Sequence, residues 1–171
     1  MNPVLHETKF PGFVWIDICQ PDKASLDKIA EEYRLDYFQI LDSLEQGHLP
    51  KFEKQPTYNF LILRAYTSKL EQGYTTINEL SNKIAFFYND QKIITVHRSP
   101  FGFLETVSKD CKTPEEVVVY LISKMVETYQ TPFTDLDEQI TDIEKTIFLK
   151  DHAKVPLEDL YYLKAQTRIT K

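Results

Sequence analysis

Tyr58-Asn59-Phe60-Leu61-Ile62-Leu63-Arg64-Ala65-Tyr66 is the stretch that decides the fold. Aromatic and branched apolar residues dominate it. Such residues suit a pleated, buried surface, so it reads as a strand. Two further runs lie downstream, Asn82 to Tyr88 and Lys92 to His97. Only Asn89-Asp90-Gln91 separates them, which predicts a hairpin. Upstream, Phe13-Val14-Trp15-Ile16-Asp17-Ile18 is another β-branched and aromatic run, ended by Gln20-Pro21. Between these strands the apolar period changes. Leu26, Ile29, Ala30 and Tyr33 recur at i, i+3, i+4 and i+7, one face of a helix that Asp22 or Ser25 can cap. Asp36 can cap a second short helix, with Phe38, Leu41 and Leu44 inward and Gly47 at its end. Gly73 breaks the chain before Thr75-Thr76-Ile77. The sum is a mostly antiparallel sheet carrying amphipathic helices on at least one side.

From Thr113 the character changes. Thr113-Pro114-Glu115-Glu116 is a helix start, with a cap residue, proline at the first helical position and Glu116 in the capping-box position. A helical pattern follows to about Phe148, and Pro132 should kink or divide it. Leu136, Ile140, Ile143 and Ile147 form a narrow seam suited to packing on another helix. After the polar connection Lys150–Lys154, Pro156 opens a last helix carrying Leu157, Leu160 and Leu163. A short loop between two helices predicts an antiparallel hairpin. Two regions are therefore expected: an α/β core over 1–112 and a helical segment over 113–171 ending in an acidic helix hairpin. The last helix stops in mid-pattern at Thr167-Arg168-Ile169-Thr170-Lys171, as expected of a piece of a longer protein.

Composition narrows the function. The chain has 171 residues, with 20 Lys+Arg against 26 Asp+Glu, for a formal charge of −6. Residues 113–171 hold 11 acids and 7 bases, so −4 of that charge belongs to the helical segment. This balance argues against nucleic acid as a partner, which needs a basic surface. Val117 to Ile122 is the longest apolar run, far below the roughly 20 residues that cross a bilayer. Cys19 and Cys111 offer no CxxC or Cys/His spacing for structural zinc, and read as two reduced thiols. Four glycines, at 12, 47, 73 and 102, build no phosphate-binding loop.

No side-chain set announces catalysis. The four histidines, at 6, 48, 97 and 152, lie on separate elements, and none stands at i, i+4 to another. His97 near a strand end reads as a packing or hydrogen-bonding residue, and no Gly-x-Ser-x-Gly elbow occurs. Asp135, Asp137, Glu138, Asp142 and Glu144 read as the solvated face of the helix whose seam is apolar. Asp42 lies beside Leu41 in the second helix, placing a carboxylate close to an apolar face. Taken alone it is an exposed or capping-type aspartate.

Read in order, these segments resemble the N-terminal cytoplasmic domain of the CorA-like divalent metal (Mg2+/Co2+) transporter family. The resemblance rests on Trp15-Ile16-Asp17-Ile18 with its following helix, then Tyr33-Arg34-Leu35-Asp36-Tyr37-Phe38-Gln39-Ile40-Leu41-Asp42. It continues through Leu49-Pro50-Lys51-Phe52-Glu53, Tyr58 to Leu63, Ile84-Ala85-Phe86-Phe87 and Ile93-Ile94-Thr95-Val96-His97. It ends in the helices from Thr113-Pro114-Glu115 to Leu136-Asp137-Glu138-Gln139-Ile140.

The resemblance implies an α/β/α sandwich with a long C-terminal helical hairpin. It implies a regulatory, non-enzymatic piece of a pentameric transporter at the cytoplasmic face of the cell membrane. The stalk and two membrane helices of such a transporter would lie beyond Lys171. It further implies that Asp42 is a regulatory Mg2+ ligand, sharing the ion with an aspartate on a neighbouring subunit's stalk and binding it weakly without that partner. Leu41 stands where the family often carries a glutamate, and Ser123 where a second family carboxylate can occur. At most one sensing site per interface follows. Two alternatives remain at this level: the same domain of a ZntB-type zinc transporter, or a free-standing soluble α/β protein-interaction domain whose acidic hairpin takes a basic partner.

Overall fold

A computed structural model describes residues 4–68, 74–149 and 156–170. The chain packs as two compact units, Met1–Ala65 with Asn82–Met125, and Tyr66–Ser81 with Val126–Lys171.

The first unit is built on a six-stranded sheet. Its strands are β1 (Val4–Phe10), β2 (Phe13–Cys19), β3 (Lys51–Lys54), β4 (Asn59–Tyr66), β5 (Ser81–Asn89) and β6 (Lys92–His97), in the order β1-β2-β6-β5-β4-β3. The pairs β1–β2, β3–β4 and β5–β6 are antiparallel, whereas β2–β6 is parallel. Period-2 alternation sorts the central strands into two apolar faces. Trp15, Leu61, Ala65, Ile84, Phe86 and Ile93 point to one face. Ile16, Ile18, Phe60, Ile62, Ala85, Phe87, Ile94 and Val96 point to the other. Both faces are covered, which is why strands such as β4 read as continuous apolar runs.

Helices α1 (Lys23–Tyr33) and α2 (Tyr37–Leu44) cross from β2 to the far edge strand β3 and cover the second face with Leu26, Ile29 and Ile40. Asp22 caps α1 by accepting from Ser25 N, and Asp36 caps α2 by accepting from Phe38 N and Gln39 N. Arg34 ends α1 in the left-handed region, at φ 53°. The first face is covered by a 3-10 turn (Gly102–Thr106) and by α4 (Pro114–Glu127), which follows the short α3 (Ile77–Leu80) in chain order. Val117, Val118, Leu121 and Met125 of α4 are buried there. Each such side chain contributes about 1.5–3 kcal/mol on burial. The result is the α/β/α sandwich expected from the sequence.

The second unit is helical. Thr76 and Glu79 form the capping box of α3, and the Glu79 carboxylate accepts from the N–H groups of Thr75 and Thr76. Tyr66 packs its ring edge-on against Tyr129, and its N–H donates to Thr128 Oγ1 at 2.8 Å. Helices α5 (Gln130–Leu149) and α6 (Leu157–Thr170) pack on one another. Gly73 and the polar connection Lys150–Lys154 lie outside the described residues.

Three local expectations need correction. Of the expected inward residues of α2, Leu44 packs partly buried against the core of the second face, whereas Phe38 does not. Phe38 is 72% exposed, and the buried residues are Gln39, Ile40 and Ser43. The two polar ones turn inward because each has a partner: Tyr58 and Glu53 bond the Gln39 amide, and the Ser43 hydroxyl donates to the Ile40 carbonyl. Secondly, Pro132 divides the helical pattern, but the break falls before it, at 128–129, where the carbonyl four residues back would have met the proline ring, and Pro132 itself sits in the first turn of α5. Thirdly, Gly47 does not end α2. That helix stops at Leu44, with Glu45 extended at its C-cap and Gly47 in the turn beyond.

Candidate functional site

Asp42 occupies the last turn of α2, with its side chain 22% exposed at the β3 edge of the sheet. The chain then leaves the helix at Glu45 and turns through Gln46 and Gly47 to His48. This brings one carboxylate oxygen of Asp42, one of Glu45 and one ring nitrogen of His48 within 4.8 Å of each other. His48 Nε2 stands 3.4 Å from Asp42 Oδ2. Its Nδ1 lies 2.8 Å from the Leu49 carbonyl, which can only accept, so Nδ1 is the protonated nitrogen. Lys51, the first residue of β3, places Nζ 2.7 Å from Asp42 Oδ2 and 2.9 Å from Glu53 Oε1. These two hydrogen bonds raise the Lys51 pKa, and the same ammonium is the main cause holding the Glu53 carboxyl below its usual range.

The turn is anchored from beneath. Arg64 donates from one guanidinium nitrogen to the carbonyls of Gln46 and His48, at 2.9 and 3.0 Å. Lys83 donates to the Asp42 carbonyl. Both residues rise from the sheet face that α2 covers, and both satisfy carbonyls left orphaned where the helix ends. Burial pushes the Lys83 pKa down to about 8, helped by the neighbouring Arg64 cation.

A second Asp–His pair lies on the opposite face of the sheet. His97 is 4% exposed, with Nε2 3.1 Å from Asp17 Oδ1 and Nδ1 2.7 Å from the Ser99 carbonyl. The Thr95 hydroxyl donates to the same Asp17 oxygen, and Trp15 Nε1 donates to Thr95 Oγ1 at 2.9 Å. Trp15, Asp17 and His97 border a cleft of about 390 Å³ that Phe101 and Leu104 also line. His97 is a hydrogen-bonded core residue. Cys19, also beside this cleft, has its thiol pKa raised by burial and by the Asp17 charge, which disfavours the thiolate. Cys19 and Cys111 are both free thiols.

Sequence reasoning singled out Asp42 but passed over Glu45, His48, Lys51, Arg64 and Lys83. The signal available was the spacing Asp42, Glu45, His48: the first two share a helical face, and the turn at Gly47 brings the third back to them. Of the acids of α5, Asp137, Glu138, Asp142 and Glu144 are exposed.

The family model described as CorA-like Mg2+ transporter protein matches residues 11–170, and the chain belongs to that family. Among solved structures, the full-length CmaX protein is similar at a TM-score of 0.72 and 16% identity, over 92% of this chain and 49% of that one. The complete CorA magnesium transporter from Methanocaldococcus jannaschii is similar at a TM-score of 0.60 and 10% identity, over 97% of this chain and 67% of that one. The ZntB cytoplasmic domain from Vibrio parahaemolyticus RIMD 2210633 is similar at a TM-score of 0.63 and 11% identity, over 99% and 90%. At such identities the likeness is one of fold. The chain thus spans about half the length of full-length CmaX. No curated protein sequence matches it. Among the described residues no helix is long and apolar enough to cross a membrane.

Proposed function

We propose that this chain is the cytoplasmic regulatory domain of a CorA-like Mg2+/Co2+ transporter, and that it senses the intracellular divalent cation to gate a pore built by other segments. On this reading it is a regulatory module, not an enzyme, and it works in a homo-pentamer at the cytoplasmic face of the cell membrane. Asp42 is the regulatory Mg2+ ligand, completed by an aspartate from a neighbouring subunit's stalk. The family match over residues 11–170 carries the reading. The partly exposed position of Asp42 at the end of α2 is compatible with a ligand offered across an interface.

The physics is that of a hard cation held between carboxylates. Mg2+ keeps several waters and takes one or two carboxylates, so a bound ion draws two subunits together. When it leaves, the carboxylates repel and the closed state loses its clamp. Asp42→Ala in the full-length transporter should raise the Mg2+ level needed for closure while leaving the fold intact. Closure at the wild-type Mg2+ level in that variant would overturn the assignment. The 171-residue chain alone should bind Mg2+ weakly, and submicromolar calorimetric binding by the monomer would contradict the need for a partner. The ZntB likeness supports a second reading, in which the same domain serves a zinc transporter. Transport assays of the full-length protein with Zn2+ and Mg2+ separate the two.

A further inference from the structure

The geometry points to an intrachain transition-metal site at Asp42, Glu45 and His48, complete within one subunit and selective for a borderline divalent ion such as Zn2+ or Co2+ over Mg2+. It rests on the sensing reading only in sharing Asp42 as a ligand. It differs in needing no neighbouring subunit and in using an imidazole.

Three observations carry it. First, the three donor atoms already lie within 4.8 Å of each other, on a segment tied down by Arg64 and Lys83. Second, His48 Nδ1 faces the Leu49 carbonyl, and Nε2 is the ring nitrogen turned toward the Asp42 carboxylate. Metal-ligating histidines carry this same backbone hydrogen bond on their other nitrogen. Third, His48 Nε2 stands 3.4 Å from Asp42 Oδ2, so the imidazole and the carboxylate face one another closely enough to share one ion through the Asp42 oxygen that Lys51 leaves free.

Ligand type favours the same ion class. Imidazole suits Zn2+ and Co2+, whereas Mg2+ prefers oxygen alone. The Lys51 ammonium on Oδ2 leaves the other Asp42 oxygen open, and it orients the carboxylate as a supporting group does.

The test is a Co2+ titration of the 171-residue chain, read by visible absorption and followed by Zn2+ and Mg2+ competition. One equivalent of Co2+ should give the intense band of a low-coordinate ion, displaced by Zn2+ and resistant to millimolar Mg2+. His48→Ala should weaken Co2+ by more than the roughly 10–100-fold that loss of a supporting group costs, and Glu45→Gln by about that amount. His48→Gln is a second probe, and circular dichroism checks that each variant is folded. Unchanged Co2+ affinity in folded His48→Ala, or no Co2+ binding at millimolar concentration, would overturn the site. The sensing reading fails separately: in the full-length transporter its signature is loss of Mg2+ closure in Asp42→Ala with closure kept in His48→Ala.

Discussion

The two faces of the sheet carry the same local motif in different surroundings. In both Asp17–His97 and Asp42–His48, a backbone carbonyl one or two residues further on faces Nδ1, and Nε2 faces an aspartate. On the α4 face the pair is the more deeply buried, at the wall of the cleft. His97 is almost fully buried, Thr95 and Trp15 extend the network, and among the described residues no third metal-ligating side chain converges on it. At the β3 edge the pair is half-exposed, Glu45 converges from the helix end, and charged groups of both signs surround it. The lesson is that Asp–His proximity alone does not define a site. What separates a core hydrogen-bond network from a cation site is access, a third ligand and the balance of charge around them.

The comparison breaks first if the buried pair proves dispensable. Asp17 faces both the Thr95 hydroxyl and His97 Nε2, and leaving a buried polar partner unsatisfied costs about 1–3 kcal/mol each. Asp17→Ala should therefore lower the thermal midpoint by roughly 10 °C in a chain of this size. Calorimetry should show that drop with metal affinity unaltered in the folded variant. A shift as small as that of a surface mutation would mean that the network contributes little to folding.

A smaller effect tests the basic residues beneath α2. Lys83 has its pKa lowered from 10.5 to about 8 in the folded protein. Between those values the unfolded chain binds more protons than the folded one, so stability rises with pH through that window. Below pH 8 both states are charged and the full cost of burying the ammonium applies. Relative to Lys83→Met, wild type should gain on the order of 1–2 kcal/mol from pH 7.5 to pH 9.5, allowing for solvent screening. Denaturant melts at the two pH values check this, and a difference independent of pH would contradict the depressed pKa.

The smallest expected effects lie at the exposed pair itself. Asp42→Asn should change stability by no more than about 1 kcal/mol, since half-exposed ion pairs contribute little. It should nonetheless weaken Co2+ binding strongly. Lys51→Met should cost a similar or smaller amount of stability, most visible at low salt and reduced as added salt screens the pair. A loss as large as that in Asp17→Ala would place Asp42 in the structural core and erase the contrast.

The sequence made the sheet legible wherever strands were long and two-sided. Tyr58–Tyr66, the hairpin around Asp90, and Phe13–Ile18 are buried on both faces and declare themselves by composition alone. Strands β1 and β3 are not legible: β1 carries the contiguous polar run His6-Glu7-Thr8-Lys9, and β3 is only four residues long with two lysines and a glutamate. Phe38 has the helical period of a core residue yet is exposed. In fact the inward position next to it belongs to Gln39, whose partners Tyr58 and Glu53 are distant in sequence. The same cause hid the metal site. Asp42 was reached by resemblance, but Lys51, Arg64 and Lys83 meet its neighbourhood only through strand pairing, and no local period encodes that. His48 looked plain because its partner lies across a turn.

Histidine side-chain NMR during Zn2+ titration of the 171-residue chain tests the central contrast most directly. Imidazole 15N resonances report each ring separately, and the chain has four histidines. The account predicts that His48 Nε2 shifts strongly with the first equivalent of Zn2+ while both His97 nitrogens keep their positions. Zn2+ binding that leaves His48 unmoved, or that shifts His97 first, would contradict it.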